Sequence, residues 1–325
     1  MLQYRYILLG DDAMDILGIL LGTVTLLAAA VFGISYICFR MAFYAPRKKT
    51  PGEDVLDLPH GEIYEPYWEF MKSCAEEVRK LPCKELWITS FDGLKLHARY
   101  FEYAPGATVE IMMHGYRGSA ERDLSGGVRR AFKLGHSVLL VDQRCSGKSD
   151  GTVITFGIHE RRDCLGWVGK LLEELGPDTR IILTGISMGA ATVVMAAGHP
   201  LPKQVIGVLA DCGFSSPKAI IKAVIRQMKL PPLISYPFVK LGARLYGKFD
   251  LEETSPLEML PNCKVPVIFF HGETDDFVPC YMSRDMYEVC PGKKQLVVVP
   301  GAGHGLSYPV APTEYLDAMR KFFGA

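Results

Sequence analysis

The sequence carries no net charge, because 36 lysines and arginines balance 36 aspartates and glutamates along its 325 residues. A surface that binds nucleic acid needs a basic excess to neutralise phosphates, so the chain as a whole gives no electrostatic reason for that class of partner. Paired cysteines are missing too: the nine present are scattered, with no Cys-x-x-Cys and no regular spacing. That excludes zinc-ribbon and thioredoxin-type motifs, and an odd, irregular set reads as free thiols in a reducing compartment. His60, His97, His136, His159, His199 and His271 lack metal-ligand spacing and do not cluster with cysteine, so no metal is expected. The phosphate cradle G-x-x-x-x-G-K-[S/T] is absent, although Gly147 and Lys148 follow Asp142, Gln143 and Arg144. Those residues read as scaffolding, and no cofactor is expected.

Charge is also missing locally. From Ile16 to Phe39 no residue is charged and nearly all are apolar, which makes about 36 Å of helix, enough to cross a bilayer. A cleaved signal peptide would have a shorter apolar core behind a basic start, whereas Asp11, Asp12 and Asp15 precede this run. Residues 1–45 therefore read as a transmembrane anchor. Arg40, Arg47, Lys48 and Lys49 follow the span against Arg5 before it, so the positive-inside rule puts the C-terminal bulk in the cytoplasm. Residues 46–59 are polar and proline-bearing and read as a tether. Tyr67, Met71, Cys74, Ala75, Val78 and Leu81 recur at helical spacing, which predicts an amphipathic helix closing the stretch 46–81.

From residue 82 onward the pattern changes to short apolar strands separated by helix-length segments. Residues 86–89 and 94–101 flank the turn signal Asp92-Gly93 and form an antiparallel edge. Runs at 109–113, 137–141, 181–184, 205–210, 265–270 and 295–299 follow, and this alternation implies a mostly parallel, doubly wound sheet of eight strands. The fifth run breaks at Gly185, Ile186, Ser187, Met188 and Gly189 and continues into alanine-rich sequence, as a strand, a sharp turn and a helix would. A serine in such a turn exposes its hydroxyl, and a side chain at 185 or 189 would collide with facing backbone. The five-residue pattern alone is weak. A second copy, Gly147 to Gly151, has charged variable positions and leads into Thr152, Val153 and Ile154, which begin helices poorly, so Ser149 reads as a loop residue.

In doubly wound sheets the reactive residues gather where strands end. His114-Gly115-Tyr116 follow the third strand, Asp142-Gln143-Arg144 the fourth, Ser187 the fifth, Asp211 the sixth, His271-Gly272 and Asp275 the seventh, and Gly301-Ala302-Gly303-His304-Gly305 the eighth. These motifs, in this order, resemble the α/β-hydrolase superfamily over residues 82–325, within it a group of bacterial membrane-anchored or cytosolic serine hydrolases of unassigned substrate. The resemblance implies a catalytic triad of Ser187, Asp275 and His304, in the order nucleophile, acid, base. It favours Asp275, three residues before Val278-Pro279, over its neighbour Asp276; Asp211 also ends a strand, with a loop-fixing hydrogen bond as its plainer use. Serine is a poor nucleophile at its own pKa, so it needs a histidine to accept its proton and a carboxylate to fix that histidine's tautomer. The oxyanion would be held by the backbone N–H groups of Met188 and Tyr116. Tyr116 and Arg117 stand where a lipase-type loop has glycines, so the tyrosine ring is a candidate pocket wall. His114 reads as a loop anchor rather than a second base.

Residues 212–260 are too long for a simple crossover and are expected to cap the pocket with helices. Ile220, Ile221, Val224, Ile225 and Met228 share one apolar face, and Phe238, Leu241, Leu245 and Tyr246 another. If these faces line the pocket, the bound acyl or alcohol group is apolar. The same stretch has no acidic residue before Asp250 but carries Lys218, Lys222, Arg226, Lys229, Lys240, Arg244 and Lys248, so each helix reads as basic on one side and apolar on the other. This predicts either a solvated face or a contact with an anionic membrane leaflet. The expected activity is hydrolysis of an ester or thioester, with an amide open. A non-catalytic tethered scaffold is the alternative.

Overall fold

The computed structural model describes residues 2–46 and 56–324, with side chains from residue 13 onward. Helix α1 (Leu2–Ala42) opens the chain, and its segment Ala13–Ala42 is long and apolar enough to cross a membrane, with a mean hydropathy of 2.3 over its most apolar 18 residues. Arg40 falls in its last turn. Arg47, Lys48 and Lys49, on which the sidedness expectation rests, lie outside the described residues, as do the side chains of Arg5, Asp11 and Asp12.

The end of α1 does not lead straight into a free tether. Phe43 is completely buried, edge-on to Phe156 and Phe249 at 5.7 and 5.2 Å between ring centroids. The Ala45 N–H donates to Thr152 O and the Ile154 N–H to Phe43 O, both at 2.9 Å. Residues read as the tail of an apolar span are thus also part of the globular core.

After a 3-10 turn at Glu62–Tyr67 comes α2 (Trp68–Lys80), which buries Cys74, Ala75 and Val78. This is the amphipathic helix, and it lies on α3 (Ala120–Lys133), whose first turn is capped by Ser119. The strands are β1 (Lys84–Thr89), β2 (Lys95–Phe101), β3 (Val109–Met113), β4 (Ser137–Asp142), β5 (Ile181–Ile186), β6 (Val205–Asp211), β7 (Val267–Gly272) and β8 (Lys294–Val299). They form one sheet in the order β1-β2-β4-β3-β5-β6-β7-β8. β1 and β2 pair antiparallel, as do β2 and β4, and every later pairing is parallel.

Helices cover both faces, so the central strands read as unbroken apolar runs. Alternate strand residues face opposite layers. Ile111, Leu183 and Phe269 join Trp167 and Val168 of α4 (Glu160–Leu175) and the alanine-rich α5 (Met188–Ala197). Met112 meets Leu124 and Val128 of α3, while Ile182 and Phe270 meet the last helix. Burial of each such large side chain contributes roughly 1.5–3 kcal/mol.

Cap helices α6 (Pro217–Gln227) and α7 (Pro232–Gly242) follow β6. Then come α8 (Pro256–Met259), α9 (Tyr281–Val289) after β7, α10 (Ser307–Val310) and α11 (Pro312–Phe323). One charge breaks the apolar pattern. Glu110 in β3 is fully buried, and it is neutralised by Arg130, with further hydrogen bonds from His136 and Thr184 at 2.8 Å each. An unpaired carboxylate there would be too costly to keep.

Candidate active site

Ser187 sits at the sharp turn between β5 and α5 with φ 55° and ψ −118°, a left-handed conformation that strains any residue with a side chain. The flanking glycines are sterically required: a Cβ at Gly185 would lie 2.1 Å from the Gly189 carbonyl oxygen, and one at Gly189 only 1.9 Å from that of Met113. The second Gly-x-Ser-x-Gly copy is built differently. Ser149 is buried, donating to Asp142 O at 2.5 Å and accepting the His97 N–H at 2.9 Å. It fastens a loop.

Ser187, His304 and Asp275, brought from three strand ends, form one hydrogen-bonded line. His304 Nε2 lies 3.0 Å from Ser187 Oγ, and His304 Nδ1 lies 2.7 Å from Asp275 Oδ2. Asp275 Oδ1 is occupied by the N–H groups of Phe277 and Val278 at 3.0 and 2.8 Å. His271, which sequence reasoning left without a role, accepts from Ser283 Oγ at 2.7 Å and donates to Val278 O at 2.8 Å, with its Nε2 3.3 Å from Asp275 Oδ2. Burial alone would raise the Asp275 carboxyl, but the hydrogen bonds from His271, His304 and the Val278 amide outweigh it and bring it down to about 2. Asp276, the competing acid, makes no such bond to His304; its carbonyl accepts from Gln227. Asp211 spends its two carboxylate oxygens on Ser307 Oγ and Tyr315 OH at 2.8 and 3.0 Å.

The loop after β3 passes beside the serine, for a Cβ at Gly115 would be 3.5 Å from that of Ser187. Its turn is closed by the Gly118 N–H on Gly115 O at 3.1 Å and held from below by Asp123, which accepts the Gly115 N–H at 2.9 Å. The Tyr116 amide lies in this turn. Met188 is the first residue of α5, so its N–H has no intrahelical acceptor and sits at the positive end of the helix dipole. His114 anchors the loop, donating from Nδ1 to Gly115 O at 2.9 Å and accepting the Gln143 N–H at Nε2 at 3.2 Å. The Tyr116 ring packs 5.0 Å from that of Phe156.

A cavity of about 570 Å³ opens from Ser187, Tyr116 and His304. Its apolar walls include Ile63, Tyr64, Phe70, Met112, Leu124 and Tyr308. No residue of 212–260 lines it, which corrects the expectation that the cap forms the pocket. Residues 59–64 line it instead. The cap's buried side chains Ile220, Ile221, Ile225, Tyr236 and Val239 pack with Phe39 and Phe43 from the end of α1 and with Met188 and Met195 of α5. Met228, which shares the apolar face by its spacing, is 48% exposed. Gly242 explains the displacement: a Cβ there would be 2.4 Å from Ser35 O, so α7 lies directly on α1. The basic stripe is partly neutralised, because Lys218 and Lys240 both pair with Glu252, just beyond the acid-free stretch. Arg226, Lys229, Arg244 and Lys248 are exposed.

The described residues hold one cluster with metal-ligand geometry, Cys212, Asp275 and His304, with donor atoms within 4.8 Å of one another. His304 Nδ1 and Asp275 Oδ2 are bonded to each other, and burial pushes the Cys212 thiol well above its ordinary value. These donors fit a proton-sharing network better than a cation site.

The family model described as the alpha/beta hydrolase family matches residues 111–318, from the third strand into the last helix, and the chain belongs to that family. YqkD of Bacillus subtilis (strain 168) is 28% identical over 190 residues, which cover 58% of this chain and 62% of YqkD's own length. The Pyrococcus furiosus esterase Pf2001 superposes with a TM-score of 0.60 at 23% identity, over 84% of this chain and 98% of the esterase. Acetyl xylan esterase 1 from Thermoanaerobacterium sp. JW/SL YS485 does so with a TM-score of 0.54 at 18% identity, over 83% and 94% of the two chains. These structural likenesses are likenesses of fold. With the family match they support a hydrolase.

Proposed function

We propose that the protein is a serine hydrolase that cleaves an ester or thioester through an acyl-enzyme on Ser187. The observation that carries this reading is the unbroken line from Ser187 Oγ to His304 at 3.0 Å and from His304 to Asp275 at 2.7 Å. His304 takes the serine proton as Oγ attacks the acyl carbon, and Asp275 holds the imidazole with Nε2 free to accept. The N–H groups of Tyr116 and Met188 stabilise the oxyanion. His304 then protonates the leaving oxygen or sulfur. In the second half it deprotonates a water that attacks the acyl carbon, and it gives that proton to Ser187 Oγ as the serine leaves.

The cavity's apolar lining favours an apolar acyl group as the substrate moiety. In this reading α1 spans a membrane once and the catalytic body is cytoplasmic; digestion of that body by protease added to intact cells would overturn the sidedness. The activity is tested by labelling the purified full chain with a fluorophosphonate and following with an ester chain-length panel. Labelling and ester turnover are expected. A tethered scaffold would take no label.

A further inference from the structure

The carboxyl end of α1 is capped by two consecutive side chains of the loop that carries the Tyr116 amide. Tyr116 OH donates to Ala42 O at 2.8 Å. Arg117 Nη2 donates to Met41 O and Tyr44 O, both at 2.9 Å, and lies 3.4 Å from Arg40 O. The last four carbonyls of a helix lack intrahelical partners and form the negative end of its dipole, so a phenol and a guanidinium are chemically suited to cap them. Arg117 itself has φ 52°, left-handed for a residue with a side chain, in the turn that Gly118 closes on Gly115. A strained residue persists only where surrounding contacts hold it. Here those contacts are Asp123 beneath the loop, through Gly115, and α1 above it, through Tyr116 and Arg117. The upper clamp is firm because α1's end is locked into the body by Phe43 and by the bonds to residues 152 and 154.

We propose that the Tyr116 and Arg117 side chains are positioning residues, which hold the Tyr116 N–H at the oxyanion site by docking the loop onto the carboxyl end of the N-terminal helix. The anchor is then part of the catalytic framework, and full turnover requires α1 to be seated. This inference rests on the serine-hydrolase reading, with Tyr116 N–H as an oxyanion donor. Donors of this kind act only if they are aimed before charge develops, so a loosened loop weakens transition-state binding more than substrate binding.

The test uses the full chain in detergent or lipid nanodiscs, with wild type, Arg117→Ala, Arg117→Lys, Tyr116→Phe and, as control, Tyr246→Phe. The control removes a different tie to α1, the bond from Tyr246 OH to Phe32 O at 3.1 Å. For each protein kcat and KM on a short-chain ester are measured, with Tm and the affinity for a trifluoromethyl ketone that forms a tetrahedral adduct on serine. Arg117→Ala is expected to lower kcat by about 10-fold or more, up to the roughly 10²–10³ lost when an oxyanion donor is deleted outright. KM should stay within about twofold, and ketone affinity should fall in step with kcat. Arg117→Lys should recover part of the loss, Tyr116→Phe should lose less than Arg117→Ala, and Tyr246→Phe should keep kcat whatever its Tm. Unchanged kcat and ketone affinity in Arg117→Ala and Tyr116→Phe, with an active and labelled wild type, would overturn this inference alone. A wild type that takes no fluorophosphonate would overturn it together with the reading beneath it.

Discussion

The Val278 amide donates to Asp275 Oδ1 at 2.8 Å, and this bond decides which oxygen of the carboxylate faces the histidine. With Oδ1 held by two backbone amides, Oδ2 is left for His304. In Asp275→Asn the amide oxygen would keep the backbone bonds and the NH₂ group would face His304 Nδ1. Two donors cannot face each other, so the imidazole would move its proton to Nε2 and could no longer accept from Ser187. Turnover should fall by about 10⁴. Asp276→Asn, on a side chain with no bond to His304, should change kcat far less. Steady-state kinetics on both variants decide between the two aspartates, and a swapped order of losses would make Asp276 the acid.

Ser149 offers a contrasting serine. Ser149→Ala leaves the buried His97 N–H without its acceptor, so it should lower stability by about 1–3 kcal/mol while turnover per folded molecule is retained. Denaturant melts paired with active-site titration separate the two effects. The pattern of residues 147–151 gave reason to place Ser149 in a loop, and its burial and hydrogen bonds make that loop residue structural.

The acid limb of stability should follow two carboxyls. Glu110 and Asp275 both sit at about 2 when folded, below ordinary values of 4.5 and 3.8. Burial alone would raise each; Arg130 and His136 outweigh it for Glu110, as His271 and His304 do for Asp275. Because the folded values are depressed, their stabilisation is complete above about pH 4.5 and is lost as pH falls towards 2. Tm should decline through that window. Glu110→Gln should flatten the decline and, by leaving Arg130 buried without its counter-charge, lower stability near neutrality by about 3–5 kcal/mol.

Much of this arrangement was legible in the sequence. Strand ends at Ile186, Gly272 and Val299 fall close to the ends of apolar runs, and the residues beyond them include Ser187, Asp275 and His304. What local pattern could not give were contacts between remote residues. Phe39 and Phe43 look like the tail of a span until Phe156 and Phe249 are seen around them. Residues 59–64 mix polar side chains with Pro59, Ile63 and Tyr64 and show no helical period, yet they wall the cavity. The cap's apolar faces were visible, but an amphipathic pattern records that a face is buried and not against what. Arg117 carried a weak signal, a bulky residue in the turn sequence Gly-Tyr-Arg-Gly.

Cavity depth should set acyl-chain preference. Gly126 on α3 faces the cavity, where an added Cβ would make only ordinary contacts, 3.9 Å from Phe70 and Tyr308. Gly126→Leu should therefore fold and place its side chain in the cavity beside those rings. The ratio of kcat/KM for long-chain over short-chain p-nitrophenyl esters should drop by about tenfold or more. An unchanged ratio would separate this cavity from acyl binding.

The most direct measurement is fluorophosphonate labelling of the full chain, with the modified peptide located by mass spectrometry, in wild type and Ser187→Ala. Wild type should carry one adduct, on Ser187. The variant should carry none and should lose about 10⁴ to 10⁶ in ester turnover with its melting behaviour retained. An adduct that persists in folded Ser187→Ala, or a wild type that reacts at another residue, would contradict the account.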